Sequence, residues 1–498
     1  MRIAFAALLG AFTLISSPGI LVAQDAPGAP AEDEAKPFKH PNIVIILADD
    51  LGWRDLSCSG SKFYETPHID SLASRGMTFT QAYAASPLCS PTRASILTGL
   101  HPARTGITEP SCHLGLERLN SVLYDKFDTK YRAIAAAGAT RLKLEYHTLA
   151  EELKNSGYAT GHFGKWHLGP SPYDALHQGF DVDVPNWYGP GPEGYIAPWH
   201  FPPQWNFQGK SGQHIDDRMA DEAIEFMRKH KEGPFFVNLW LWSVHGPFEA
   251  KPELIKKYSK KAKPESRQRN AVMGAMIESM DDAVGKVVDE INRLGIADNT
   301  IILFTSDNGG WSLPVKGIGE VPITDNYPLR GGKGSLYEGG IRVPWFVVWP
   351  KKIPAKSSSD EVVVTTDIYP TLLDLAGLPA PKQVKFDGIS IVAALRDRPL
   401  TREAVFIHFP HYIEAVGQVP GVSVRKGDWK LIRLFADNPD QSDRFELYNL
   451  RDDIGETNNL AKGKPEIVKE LNQLISNFLK ESNATVPVKN PDYVPPQD

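Results

Sequence analysis

Apolar residues along this chain fall into two rhythms. Residues 42–47 (NIVIIL), 235–241 (FFVNLWL) and 300–304 (TIILF) are continuous apolar runs rich in β-branched and aromatic residues, the pattern of strands covered on both faces. Residues 158–163 (YATGHF) read as a fourth strand. Longer stretches with helical spacing lie between these runs. That order predicts an α/β fold, a large and mostly parallel sheet flanked by helices. Toward the C-terminus the rhythm changes. Residues 422–433 (VSVRKGDWKLIR) read as a hairpin turning at Lys426-Gly427-Asp428, and 445–448 (FELY) as a further short strand. Ile467, Leu471, Leu474, Ile475 and Phe478 then make one apolar stripe on a helix over 465–480, which must pack on something. The expected organisation is a large α/β domain over 40–384 and a smaller α+β unit over 385–498.

The polar residues that follow each apolar run change the picture from fold to chemistry. Asp49 and Asp50 follow the first run, His245 the one at 235–241, Asp307-Asn308-Gly309 the one at 300–304, and Lys165 and His167 the fourth. Ligands of open α/β sheets sit beyond the carboxyl ends of the strands, so these four groups are predicted to share one pocket. Each has a blander reading. Asp-Asp can cap a helix, Asp-Asn-Gly can make a turn, and a lysine near a histidine can be an ordinary loop. Their coincidence at four strand ends is what points to a site. Asp49, Asp50, Asp307 and Asn308 offer hard oxygen donors, which suit Ca²⁺ or Mg²⁺ and disfavour zinc; Ca²⁺ is the expected ion. Lys165 and His167, two apart, point to the same side of an extended segment.

Cys89-Ser90-Pro91-Thr92-Arg93 adds a nucleophile. Ser90-Pro91 reads as an N-cap followed by proline at the first helical position, which sets Cys89 at the mouth of a helix where N–H groups and the dipole favour an anion. Arg93 lies four residues on and reaches the same face. A lone cysteine is often only a small buried hydrophobe, and thiolate phosphatases use a longer loop between cysteine and arginine.

Length and composition narrow the class. The 498 residues exceed one hydrophobic core, so more than one unit is expected. A net charge of −6 with no dense basic run argues against general nucleic-acid binding and requires a local basic pocket for any anionic substrate. Residues 1–24 have one early positive charge, an apolar core broken by Ser16-Ser17-Pro18-Gly19, and small residues near Val22-Ala23-Gln24. This is the pattern of a secretory signal peptide, predicting a secreted or periplasmic protein without stable membrane insertion. Residues 25–39 read as a disordered linker. Three cysteines, Cys58, Cys89 and Cys112, do not make a disulfide scaffold, although Cys58 and Cys112 are free to pair.

Cys89–Arg93 with Ala94-Ser95-Ile96-Leu97-Thr98-Gly99 resembles the maturation signature of the type I, formylglycine-dependent sulfatases. Residues 157–167 (GYATGHFGKWH) resemble the second signature of that family, and 329–344 (LRGGKGSLYEGGIRVP) its later lysine motif. The likeness runs from about residue 41 to about residue 460. It implies an alkaline-phosphatase-like fold whose smaller C-terminal domain holds a four-stranded antiparallel sheet plus a helix. It also implies that Cys89 is oxidised to formylglycine (3-oxoalanine), and that its hydrate attacks the sulfur of a sulfate ester. By the same resemblance Asp49, Asp50, Asp307, Asn308 and the modified Cys89 bind one divalent cation. Arg93 then steadies the nucleophile, Lys165 and Lys333 hold sulfate oxygens, His245 protonates the leaving alkoxide, and His167 opens the hemiacetal sulfate. A formylglycine-generating or anaerobic sulfatase-maturing enzyme is the implied partner.

Loops outside this core are expected to choose the alcohol. Residues 105–147 contain Glu109 and His113; residues 171–215, rich in Trp, Tyr, Pro and Gly, contain Trp199 and His200; His408 and His411 could reach the pocket from the smaller unit. Aromatic loops at a polar mouth suit a sulfated poly- or oligosaccharide. The alternatives are a phosphonate monoester or phosphodiester hydrolase with the same nucleophile, and an inactive glycan-binding homologue.

Overall fold

The computed structural model describes residues 40–495; the signal-peptide and linker readings lie outside the described residues. The large sheet is built from β1 (Asn42–Ala48), β2 (Met77–Tyr83), β3 (Ala159–Gly164), β4 (Val182–Val184), β5 (Phe235–Trp240), β6 (Thr300–Ser306), β7 (Trp345–Val348) and β8 (Ser357–Val364). Their order is β8-β2-β7-β6-β1-β5-β3-β4. All run the same way except β7, which is antiparallel to both neighbours. Thus β6, β1, β5 and β3 are adjacent and parallel, and their carboxyl ends form one edge.

Strand periodicity explains why β1 has no polar face. Val44 and Ile46 point to one side and pack with α3 (Ile215–His230) and α4 (Ala271–Arg293). Ile43, Ile45 and Leu47 point to the other and pack with α1 (Cys89–Thr98), α2 (Leu149–Asn155) and α5 (Ile368–Ala376). Every β1 residue is buried, as a strand between two helical layers requires. No helix among the described residues is long and apolar enough to cross a membrane.

A second sheet, β9 (Val405–Phe409), β10 (Gly421–Lys426), β11 (Trp429–Leu434) and β12 (Arg444–Asn449), is antiparallel throughout in that order. The β10–β11 hairpin turns at Gly427-Asp428, as the sequence predicts. One face packs Val422, Val424, Leu431 and Leu447 against Leu471, Ile475 and Leu479 of α6 (Pro465–Glu481). The other packs Ile407, Ile432 and Tyr448 against Tyr83, Leu336 and Ile341. The antiparallel sheet therefore backs directly onto the segment that carries Lys333.

One local expectation is corrected. Helix α1 starts at Cys89 itself, with Leu88 as N-cap, so Ser90 is not the capping residue. Its hydroxyl donates instead to the backbone carbonyl of His167 at 2.7 Å. Pro91 is tolerated because first-turn N–H groups have no intrahelical acceptor to lose.

Candidate active site

The edge formed by β6, β1, β5 and β3 gathers the polar residues that follow those strands. Asp49 and Asp50 leave β1, Asp307 and Asn308 leave β6, and Lys165 leaves β3, all buried. Gly164 makes that last exit possible. Its φ is +114°, and a Cβ there would lie 1.9 Å from the Trp240 carbonyl oxygen of β5, so only glycine lets the strands run this close. Asp50 also sits at positive φ, +63°, which swings its carboxylate back toward Asn308 and Lys333.

Ion pairs and hydrogen bonds lock the cluster. Arg93, fully buried on α1, donates from Nε (2.9 Å) and Nη2 (2.7 Å) to Asp307 Oδ2 and from Nη1 to the Lys165 carbonyl (2.8 Å). Its guanidinium lies over Trp240, 5.1 Å from the ring centre. Lys165 Nζ donates to Asp49 Oδ2 at 2.6 Å, and Lys333 Nζ to Asp50 Oδ2 at 2.8 Å. Asn308 Nδ2 donates to Asp50 Oδ1 at 2.8 Å. Three carboxylates thus face three cations, and the protein closes its own charge balance.

Two oxygens are left over. Asp49 Oδ1 and Asn308 Oδ1 are buried with no hydrogen-bond partner in the protein. Asp49, Asp50 and His245 present ligand atoms within 4.8 Å of one another, as do Asp49, Cys89 and Asp307. Leaving such oxygens unpaired costs about 1–3 kcal/mol each. Hard donors with free lone pairs, clustered at one point, fit a hard divalent cation. The electrostatics agree. Burial, joined by the charge on Asp307, raises Asp49 well above the usual carboxylate range. Burial also works against the Asp50 charge, but Lys333, His245 and Lys165 outweigh it and hold Asp50 low.

Cys89 faces this cluster from the first residue of α1. Burial pushes its thiol up from the ordinary value, against the pull of Lys165 and Lys333. His167 Nδ1 is 3.6 Å from Cys89 Sγ, and its Nε2 is 3.0 Å from His113 Nδ1. Burial, then Lys165 and His113, depress His167 strongly. His245 Nε2 is 3.9 Å from Asp50 Oδ2, while its Nδ1 is 2.6 Å from the Gly246 carbonyl. A carbonyl only accepts, so Nδ1 carries the hydrogen and Nε2 is the nitrogen turned to the site. Burial, Lys333 and Lys165 keep His245 well below its ordinary pKa.

The residues expected to contact the alcohol scatter more. His113 meets His167 rather than standing apart in a loop. Glu109 accepts from the Gly138 N–H at 2.8 Å and lies 3.9 Å from His411, whose Nε2 meets Thr108 Oγ1 at 2.8 Å. Trp199 is buried, stacked on Phe207, with its indole N–H on the Tyr195 carbonyl at 3.2 Å; it covers core. His408 is fully buried, with Nε2 3.1 Å from the Thr485 carbonyl oxygen. His200 is exposed. Cys58 (exposed) and Cys112 (buried) are free, so no bridge joins them. The sequence reading passed over Tyr195. Its buried hydroxyl lies 2.7 Å from the carbonyls of both Trp242 and His245 and pins the loop that presents His245. A tyrosine in an aromatic-rich loop carries no signal for that role.

A helix-mouth residue beside a cationic clamp and a hard-oxygen cluster defines a hydrolase of oxyanion esters. The sulfatase family model matches residues 41–378, and that for the C-terminal part of N-sulphoglucosamine sulphohydrolase matches 332–483. A sulfatase of Formosa agariphila is 31% identical over 92% of each chain. The N-acetylgalactosamine-6-sulfatase of Sus scrofa is 33% identical over 74% of this chain and 68% of its own. The crystal structure of Ps i-CgsB in complex with k-i-k-neocarrahexaose superposes with a TM-score of 0.71 and 27% identity, covering 88% of this chain and 92% of that one. The chain belongs to the sulfatase family and is a sulfatase.

Proposed function

We propose that the protein removes sulfate from a sulfated poly- or oligosaccharide, with Cys89 converted to formylglycine. The observation that carries this reading is the environment of Cys89. Its thiol is held protonated by burial, which makes it a poor nucleophile as a cysteine, and its neighbours are hard oxygens that do not favour sulfur. A formylglycine hydrate would place oxygen nucleophiles where the thiol stands. A divalent cation, Ca²⁺ or alternatively Mg²⁺, held by Asp49, Asp50, Asp307, Asn308 and the modified residue 89, would supply Lewis-acid polarisation and charge neutralisation.

The chain's own residues do the rest. Lys165 and Lys333 each spend one N–H on an aspartate and keep two donors for sulfate oxygens. Arg93 holds Asp307 and the Lys165 backbone in place, and so sets the clamp. His245, when protonated, hands its Nε2 proton to the departing alkoxide; its depressed pKa makes it a strong acid for that purpose. His167, neutral at pH 7 and directly against position 89, takes the proton whose loss releases sulfate and restores the aldehyde. The names of the relatives, one an N-acetylgalactosamine-6-sulfatase and one bound to a neocarrahexaose, support a carbohydrate as the alcohol. Export to the periplasm or beyond, where such polymers are met, fits the leader sequence, and maturation needs a formylglycine-forming enzyme in the host.

The test joins mass spectrometry of the Cys89 peptide with sulfate release from defined sulfated saccharides, run beside an aryl phosphonate. Conversion at Cys89 and preferential desulfation are expected. Full activity with an intact thiol would overturn the mechanism, and faster phosphonate cleavage would overturn the substrate class.

A further inference from the structure

We infer that a basic groove beside the catalytic site is a second binding site for an anionic saccharide chain, a distal subsite that favours polymers over single sugars. The inference rests on the carbohydrate reading above and deepens it. The groove encloses about 440 Å³, within the ~300–1,000 Å³ of small-ligand sites. None of the catalytic residues lines it. Five cationic side chains do, Arg54, Lys62, Lys261, Lys263 and Arg267, against the single carboxylate of Asp325. On a chain of net charge −6 this is a concentrated reversal of sign.

The cations are not used up by the protein. Lys261 pairs with Glu65 at 2.8 Å and Arg267 with Asp325 at 3.2 Å. Among the described residues Arg54 bonds only backbone carbonyls, those of Gly60 (3.0 Å) and Tyr327 (3.3 Å). Lys62 and Lys263 are exposed and meet no carboxylate among the described residues. The groove also has a platform. Tyr327 is 53% exposed, and the Arg267 guanidinium stacks 4.0 Å from its ring centre. A half-exposed aromatic ring, covered on one face by Arg267 and standing beside the free cations, suits a sugar ring that carries sulfate or carboxylate.

Position ties the groove to the site. Arg54 lies four residues beyond Asp50. Asn326, next to Tyr327, donates to the carbonyls of Gly310 and Gly331, each at 3.0 Å, and the Lys333 N–H donates to that same Gly310 carbonyl at 3.0 Å. The platform is thus pinned to the backbone that presents Asn308 and Lys333. The groove serves the site when a chain with its sulfate ester at Lys333 extends to Tyr327 and Lys62.

Lys62→Glu/Lys263→Glu and Tyr327→Ala test this, with matured full-length protein in affinity gels containing chondroitin sulfate, carrageenan, uncharged dextran or single-stranded DNA. The wild type should be retarded by a sulfated polymer and not by dextran. Each variant should lose that retardation and raise KM on the polymer by about tenfold. Their kcat/KM on an aryl sulfate should stay unchanged, which also shows that they fold. Equal retardation of variant and wild type, no retardation of the wild type, or equal retention on DNA would overturn the groove. If the wild type desulfates saccharides and the variants match it, the groove falls and the substrate reading stands. Retention through Lys62 and Lys263 without sulfate release leaves the groove standing and sinks the substrate reading.

Discussion

Two buried charge clusters lie on either side of the segment that carries Lys333, and they are built on opposite principles. In the candidate active-site cluster three aspartates meet Arg93, Lys165 and Lys333, yet Asp49 Oδ1 and Asn308 Oδ1 have no partner among the described residues. In the other, Lys430 of the antiparallel sheet bonds Glu338 at 2.9 Å and Glu456 at 2.7 Å. There Tyr83 donates to Glu338 Oε2 at 2.7 Å, the Glu338 N–H donates to Glu456 Oε2 at 2.7 Å, and Arg342 stands 3.5 Å from Glu338. Each carboxylate oxygen there has a cation or a donor, Glu456 Oε1 through its ion pair with Lys430 and not through a hydrogen bond. Buried charge alone therefore does not mark a site, and neither does a single orphaned oxygen, since Asp183 Oδ1 and Asp216 Oδ2 also lack a partner; an orphaned oxygen gathered with other ligand atoms does.

The contrast breaks most sharply at Asp49. Asp49→Asn keeps an acceptor for Lys165 but removes a charge that burial and Asp307 already disfavour. Sulfatase activity should fall by about 10³-fold, the size of losing a preorganised electrostatic element. In EDTA the variant should be no less stable than the wild type. Saturating Ca²⁺ should then stabilise only the wild type, by about 2.7 kcal/mol at a hundredfold excess over Kd. Thermal unfolding with and without Ca²⁺ reads this directly. A variant that is both markedly destabilised in EDTA and still active would reverse the assignment.

Lys430→Met is the complementary change. It strands Glu338 and Glu456 in the interior, and breaking a buried pair from one side costs about 3–5 kcal/mol. Denaturant midpoints should drop accordingly, while kcat of the folded fraction at low temperature stays close to wild type. Loss of kcat without loss of stability would make this cluster part of the active site.

How much of this was legible in the sequence follows the same division. Of the candidate site residues, Asp49, Asp50, Lys165 and Asp307 stand directly after apolar runs, so strand-end logic puts them on one edge. Lys333 came from its motif rather than from periodicity, because it lies in a glycine-rich loop with no repeating pattern. The Glu338–Lys430–Glu456 cluster was invisible. Lys430 sits in a strand that reads as ordinary hairpin, and its partners are 92 residues before it and 26 after, so no local spacing announces them. Ser90 stands two helical positions further in than its expected cap because a cap is decided by where the backbone turns, and its hydroxyl has a better acceptor in His167. Trp199 was suggested by its aromatic-rich loop and His408 by its place in the smaller unit; both are buried, Trp199 against Phe207 and His408 inside β9.

The smallest effect is a pH slope contributed by the structural cluster. Glu338 and Glu456 share Lys430. Burial pushes Glu456 up to about 7, and at Glu338 burial is outweighed by Lys430, Arg342 and Arg425, which hold it down at about 2. A carboxyl whose folded pKa exceeds its unfolded value of 4.5 binds more protons in the native state. Its contribution to stability is full below pH 4.5 and is lost as pH rises through 7. Glu338 has the opposite sign, lost only as pH falls from 4.5 toward 2, so the window between 4.5 and 7 separates Glu456 from Glu338; Asp55, Asp216 and Asp281, raised to about 6 by burial, add to the slope there. Buried histidines oppose the slope in absolute terms. His162, His214 and His408, all depressed to about 3 by burial, make stability rise as pH climbs toward 6.5. The difference between wild type and Glu456→Gln cancels them. Glutamine stays neutral and still accepts from the Glu338 N–H, so the gap should move in the variant's favour by on the order of 3 kcal/mol between pH 5 and pH 8. Parallel denaturation curves across that range measure it; a constant gap would mean that Glu456 is ionised throughout and that Lys430 satisfies both carboxylates at once.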